Sequence, residues 1–259
     1  MRFIYPIGIV LLMTFSGCGD PDVLIKQFTP PEDEAIATNY IALLRQNKFE
    51  PIEKDLDPSL RGALTQETLV KMAQAIPAQD PISVKVIGAQ QVRNPSFYTI
   101  NLSFEYQFRS KWLLINVATQ KKDGVSTIIG FNVYPLSDSL ENLNKFTLTG
   151  KNLLEYATLA FAILIPLFIL HTLGLCIRTK MEKRKWLWII FILIGLGKFT
   201  VNWTTGQWNF TPLSFQLLGA GVFAPPYSAW LISFSLPLGA ILFLIRRKKL
   251  VVSIEPGLN

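Results

Sequence analysis

Two cysteines and one histidine are all that the 259 residues contain of the side chains most used for disulfides, zinc sites and nucleophilic catalysis. Cys18 closes an N-terminal apolar run and Cys176 lies inside a later one, so neither a disulfide framework nor a cysteine-type zinc site can be assembled. His171 shares the later run, which removes a histidine metal site or a Ser-His-Asp triad from any water-soluble part. Gly195-Leu196-Gly197-Lys198 has neither the spacing of a phosphate loop nor a strand before it. No cofactor or metal is expected.

The charge of +7 suggests nucleic acid until it is mapped. Between Gly19 and Gly150 there are 13 Lys/Arg against 15 Asp/Glu, a net of −2. The excess lies in Arg178–Lys185, with five basic residues and one acid, and in Arg246–Lys249, with four basic residues. Both clusters adjoin apolar segments, which is the patterning of cytoplasmic flanks of membrane spans and not of a phosphate-binding groove. Nucleic acid is excluded as a partner and the lipid bilayer is expected as one.

Half the residues are apolar, high for a soluble domain. The first 18 residues read as a signal: Arg2, an apolar core from Phe3 to Phe15, then Ser16-Gly17-Cys18. That core is too short to span comfortably at about 1.5 Å per residue. Phe15-Ser16-Gly17-Cys18 resembles the lipobox of bacterial lipoproteins, which implies lipidation of Cys18; Phe15 stands where an aliphatic residue is usual. Residues 19–29 read as a tether, 30–150 as an exported domain, 151–249 as a membrane domain and 250–259 as a cytoplasmic tail. Three transmembrane helices are expected at about 156–177, 186–203 and 227–245, with Trp186, Trp188 and Trp203 as interfacial anchors. The apolar run 213–224 is short and ends in Pro225-Pro226, so it is expected to be re-entrant or interfacial. His171 and Lys198, ionisable within these segments, are a possible intramembrane polar site. Three crossings put both basic clusters inside and the 30–150 domain outside.

The exported part reads as α+β. Pro30-Pro31-Glu32-Asp33-Glu34 announces a helix, and Ile36, Tyr40, Leu43 and Leu44 follow helical spacing. Thr65 is placed to cap a further helix carrying Leu69, Met72 and Ile76. From Pro81 the period becomes two. In "FYTINLSFEYQF" one face carries Tyr98, Ile100, Leu102, Phe104, Tyr106 and Phe108; the other carries Thr99, Asn101, Ser103, Glu105 and Gln107. That alternation predicts an antiparallel strand buried on one side, with Glu105 exposed on the other. "ISVKVIGA", "KWLLINVAT" and "VSTIIGFNVYP" read as further strands, with an Asp123-Gly124 turn between the last two.

The stretch "YIALLRQNKFEPIEKDLDPSLRGALTQETL" followed by "INLSFEYQFRSKWLLINVATQKKDGVSTIIGFNVYP" resembles the nuclear transport factor 2-like superfamily over about 110 residues. The resemblance implies a curved sheet wrapped on a long helix and a cone-shaped pocket, which Tyr98, Ile100, Phe104 and Tyr106 would line. It hosts isomerases, dehydratases, adaptors and ligand-binding modules, so it does not choose a function. The favoured expectation is a non-enzymatic envelope protein whose exported domain binds an envelope protein partner or a small apolar ligand. The alternative is a membrane-tethered enzyme acting on a small apolar or lipid-like substrate. Charged groups converging in the pocket would favour the enzyme; a filled aromatic core would favour the binding module.

Overall fold

The computed structural model describes residues 20–181 and 184–250, Lys249 by its backbone alone. Cys18 and the tail from residue 251 lie outside the described residues. Two compact units divide between Leu143 and Asn144.

The first unit begins with α1 (Pro21–Gln27), in the stretch expected to be a tether. The Asp20 carboxylate accepts from the Asp22 N–H at 3.0 Å, and Pro21 at the first helical position loses no helical hydrogen bond. The long helix α2 (Pro31–Arg45) carries Glu32, Asp33 and Glu34 in its first turn and buries Ala37, Tyr40, Ile41 and Leu44 along one stripe. After it come α3 (Phe49–Lys54), a 3-10 turn (Pro58–Leu60) and α4 (Gln66–Ala75), which Thr65 caps by accepting from the Thr68 N–H.

Four strands complete the unit: β1 (Ser83–Asn94), β2 (Phe97–Gln107), β3 (Trp112–Lys122) and β4 (Val125–Leu136). They form an antiparallel meander in sequence order. Asp123 and Gly124 turn β3 into β4 with positive φ at both residues, as a two-residue hairpin turn requires. Bulges at Val86/Gly88 and Ala118/Thr119 bend the sheet. The open edge of β4 is covered by the chain after α3, where Ile128 N–H donates to Asp55 O and Asp57 N–H to Ile128 O. On the face toward the helices, Ile100, Leu102, Phe104, Tyr106 and Phe108 of β2 pack with Leu113, Ile115, Val117, Ile128 and Phe131 against Ile41, Leu44, Ile52 and Leu69. This is the face that the alternation predicts.

Glu105 departs from expectation. It lies on the opposite face yet is only 7 % exposed, because its Oε2 accepts from the backbone N–H of Leu140 at 2.6 Å. Alternation identifies the face away from the helices, but not that the short helix α5 (Leu140–Leu143) returns across it.

The second unit overturns the expectation of an all-α membrane domain with three transmembrane helices. Among the described residues only α6 (Leu153–Arg178) is long and apolar enough to cross a membrane. The rest is α7 (Lys185–Leu193), β5 (Ile194–Asn202), β6 (Trp208–Leu217), β7 (Ala220–Phe223), β8 (Leu231–Leu236) and α8 (Leu238–Leu250). The strands form a second antiparallel sheet in the order β6-β5-β8-β7. Residues 156–177 fall within α6, but 186–203 divides into α7 and β5, and 227–245 into a loop, β8 and part of α8. The run 213–224 is the end of β6, a turn and β7.

The cause is local. Apolar length counts residues without regard to period, and an 18-residue run serves equally as one helix or as a helix followed by a strand. At Gly195 a Cβ would come within 2.7 Å of Ser235 Cβ and 2.8 Å of Gly219 Cα, so only glycine permits this approach of the backbones. Thr200 and Val201 then favour the extended chain. Pro237 separates β8 from α8 and offers its carbonyl to the Ile241 N–H. Pro212 is tolerated because β6 is an edge strand.

Phe104→Ala should lower the stability of the first unit by about 3–5 kcal/mol, read by urea-dependent proteolysis of the full chain. Glu105→Ala should lower it by about 1–3 kcal/mol, because the Leu140 amide loses its acceptor. A change below about 0.5 kcal/mol for Glu105→Ala would mean that this carboxylate is solvated after all.

Candidate functional site

Three of the four residues expected to line a pocket belong to the packed core. Ile100, Phe104 and Tyr106 are buried in the packed interior, and Phe104 and Phe131 are among its largest fully buried side chains. Burial pushes the Tyr106 phenol above its ordinary value, with Arg45 opposing. Tyr40 donates to Asp55 Oδ2 at 2.9 Å, and its pKa is raised by burial and by that carboxylate. Both shifts favour the protonated phenol, and Tyr40 acts as a donor and not as a base.

Tyr98 stands apart, at the rim. It is half-buried and donates to Asp33 Oδ2 at 2.9 Å, while the Arg93 guanidinium lies 5.1 Å from its ring centroid. Desolvation and the Asp33 carboxylate push its pKa up to about 12. Lys121 pairs with Glu32 at 3.8 Å. Beside this rim is an open depression of about 440 Å³ whose lining includes Arg93, Tyr98, Lys121 and Asp123. The charges gather at the surface and not in the interior, and the Asp33 and Glu32 carboxylates are already engaged by Tyr98 and Lys121.

On the sheet face away from the helices, Asn101, Asn116, Ala118, Gly130, Asn132 and Tyr134 line a shallow cavity of about 350 Å³. Asn116 Nδ2 donates to Ser103 Oγ at 2.6 Å, while Asn101 Oδ1 is buried without a partner. This trough joins three strands, since Asn101 is registered with Ala118, and Ala118 with Gly130. Sequence alternation assigned Asn101 to this face but gave no sign of a concavity, which arises from the small residues Ala118 and Gly130.

The two intramembrane candidates are not brought together. His171 is exposed on α6, and Lys198 lies in β5 opposite Thr211. Among the described residues no hydrogen bond or ion pair joins them. The polar centre of the second unit is at the head of α6, where Trp203 was expected only as an interfacial anchor. Asn152 and Glu155 form a reciprocal capping box: Asn152 Oδ1 accepts from the Glu155 N–H at 3.0 Å, and Glu155 Oε2 from the Asn152 N–H at 2.8 Å. Lys151 pairs with Glu155 Oε1 at 3.5 Å, donates to the carbonyl of Trp203 and lies 5.4 Å from the Trp203 ring centroid. Trp203, fully buried, stacks on Phe146 at 5.1 Å and donates from Nε1 to Thr147 O at 2.8 Å. Glu155 is itself 4 % exposed, so the pair is a buried one held by several hydrogen bonds. It is a structural clasp: every polar group named is occupied by another.

A second polar group is buried within the sheet. Gln216 Nε2 donates to Ser233 Oγ at 2.8 Å and Gln216 Oε1 accepts from Ser235 Oγ at 2.7 Å, while Ser233 Oγ donates to Gly221 O. These bonds tie edge strand β6 across β8 to β7, and nothing in their pattern marks a reactive centre.

Two outcomes test this geometry. The difference in phenolate absorbance between wild type and Tyr98→Phe should rise only above pH 10, towards about 12. Because the folded pKa is raised, the stability contributed by the Tyr98–Asp33 contact is full below pH 10 and is lost as pH climbs towards 12. Lys151→Met should destabilise the second unit by about 3–5 kcal/mol, since it strands the buried Glu155 carboxylate. Adding Glu155→Gln should restore part of that loss, and strict additivity of the two changes in thermal unfolding would contradict a coupled pair.

No protein-family model matches the chain, and neither a curated protein nor a solved structure matches it significantly.

Proposed function

We propose that this protein is a membrane-anchored, non-enzymatic binding protein of the bacterial cell envelope, whose first unit is exported and engages a partner through its outer surface. The observation that carries this reading is the closed interior of the first unit. Phe104, Phe131, Leu113 and Ile115 occupy the space in which a cone-shaped pocket would hold a substrate. The concavities of this unit lie at its surface: a depression of about 470 Å³ between α2 and α4 lined by Arg45, Asn47, Ala73, Ile76 and Asp80, the charged rim around Tyr98, and the asparagine trough on the opposite sheet face. A long helix ahead of a bulged antiparallel sheet is the arrangement that supports a nuclear transport factor 2-like fold for this unit.

The second unit is read as the anchor. In the most apolar 18-residue stretch of α6 only 17 % is buried, whereas a core helix of a water-soluble protein would be largely covered. Its 26 residues extend about 39 Å at 1.5 Å per residue, enough to cross a hydrocarbon layer of about 30 Å. The Arg178–Lys185 and Arg246–Lys249 clusters, facing the cytoplasm, would orient it with the first unit outside. Lipidation of Cys18 would add a second attachment of the exported unit to the bilayer.

Incorporating a photoreactive side chain in living cells separates surface binding from interior binding. From the position of Asn132 or Arg93, irradiation should give discrete cross-linked products that compete away with excess unlabelled protein. From the position of Phe104 it should give only intramolecular products. A small-molecule adduct at the Phe104 position would instead support an enzyme with an interior substrate. Export is checked separately: Gly124→Cys should react with a membrane-impermeant maleimide in intact spheroplasts, and Lys180→Cys only after permeabilisation.

A further inference from the structure

The three helices of the second unit bring Lys185 and Arg247 to one end. α8 runs antiparallel to α7, and the two cross closely: a Cβ on Gly239 would fall 1.8 Å from the Phe191 carbonyl oxygen. Further along, Trp188 meets Phe243 edge-on at 5.7 Å. Four residues beyond Phe243, Arg247 is level with the start of α7, and its Nε donates to Thr179 Oγ1 at 3.3 Å, just past the end of α6. Lys185, at that same start, donates to the Ile177 carbonyl. The C-terminal ends of α6 and α8 and the N-terminal end of α7 therefore share one level. The sequence places nine Lys/Arg and one acid, Glu182, in the two segments 178–185 and 246–249.

From that level a groove of about 510 Å³ runs along α7, lined by Arg184, Leu187, Trp188, Ile190, Phe191 and Ile194. Arg184 stands at one end, and the residues beyond it are apolar. Arg184 to Ile194 covers ten residue steps, about 15 Å, which is half of a hydrocarbon layer of about 30 Å. A groove with this charge at its mouth and this depth is complementary to a single anionic lipid, headgroup first.

We propose that the α7 groove binds an anionic phospholipid of the inner leaflet, with its phosphate held by Arg184 and an acyl chain laid along Leu187, Trp188, Phe191 and Ile194. The inference rests on the reading of the second unit as the membrane anchor and adds to it a selectivity for lipid charge. Arg184 supplies a forked donor matched to phosphate oxygens, and Arg247, level with the start of α7, adds to the local positive potential. Trp188 provides a flat wall at the depth of the upper chain. A zwitterionic lipid gains the same apolar contact but a smaller electrostatic one, so the difference between lipids is the signature of the site.

The test uses the full-length protein reconstituted into phosphatidylcholine vesicles, doped with chain-brominated phosphatidylglycerol or chain-brominated phosphatidylcholine. Trp188 emission is isolated as the difference between wild type and Trp188→Phe. Brominated phosphatidylglycerol should quench it at lower mole fraction than brominated phosphatidylcholine, and added salt should weaken that preference. Arg184→Ala should reduce the preference about fivefold, corresponding to roughly 1 kcal/mol for one cation at a membrane surface, and Arg184→Lys should keep most of it. Equal quenching by the two lipids, or a preference that survives Arg184→Ala intact, overturns the lipid site while leaving the anchor reading standing. Absence of quenching by either lipid overturns the site together with the placement of α7 in the bilayer.

Discussion

Phe104 and Leu164 are subject to the same constraint, that a large apolar side chain is kept from water, and the chain meets it in two different ways. Phe104 is 1 % exposed, covered by residues of its own unit. Leu164, on α6, is 58 % exposed, and Phe161, Ile163 and Leu167 beside it are similarly open. Burying such a side chain is worth about 1.5–3 kcal/mol, and a row of them left in water would be an aggregation surface. The first unit satisfies the constraint by closing around its sheet. The second satisfies it only if something other than the described chain covers α6, and we read hydrocarbon as that cover. The proposed division of labour between the units follows from this difference.

The proposed hydrocarbon cover gives the polar contacts of the second unit a specifying role. Hydrophobic burial supplies little specificity when the surroundings are as apolar as the side chains, and small residues and hydrogen bonds then decide which segments meet. Gly195 and Gly239 allow backbone approach, the Gln216–Ser233–Ser235 bonds join β6 to β8, and the Lys151–Glu155–Trp203 clasp fixes the head of α6. In the first unit the corresponding work is done by volume: Ile41, Leu44, Ile52 and Leu69 fill the concave side of a bulged sheet.

How much of this is legible in the sequence differs between the units for the same reason. Where one face of an element meets water and the other meets core, the period is visible. α2, α4 and the buried face of β2 follow from Tyr40, Leu44, Leu69 and the alternation between Tyr98 and Phe108. Where both faces are apolar the period vanishes, and Trp186–Trp203 cannot be divided into α7 and β5 by counting hydrophobic residues. Gly195, Gly197 and Pro237 were the available signals, and they are local cues that a length criterion passes over. The clasp at α6 was partly legible: Asn152 three residues before Glu155, directly ahead of an apolar run, is the pattern of a capping box. The role of Trp203 was not, because it depends on a contact across about fifty residues of chain. Glu105 failed differently: its face was read correctly, but the return of residues 140–143 across that face is a tertiary event without a local sign.

The claim on which the account rests is that hydrocarbon covers the open side of α6 while the outer sheet face of the first unit meets water. Spin labels at Leu164→Cys and Asn132→Cys, in a Cys18→Ser, Cys176→Ala background reconstituted into liposomes, compare the two sites directly through relaxation by oxygen and by a water-soluble nickel chelate. The account predicts that the label at residue 164 collides with oxygen and scarcely with the chelate, and that the label at residue 132 shows the reverse. Equal accessibility of both labels to the chelate would contradict it.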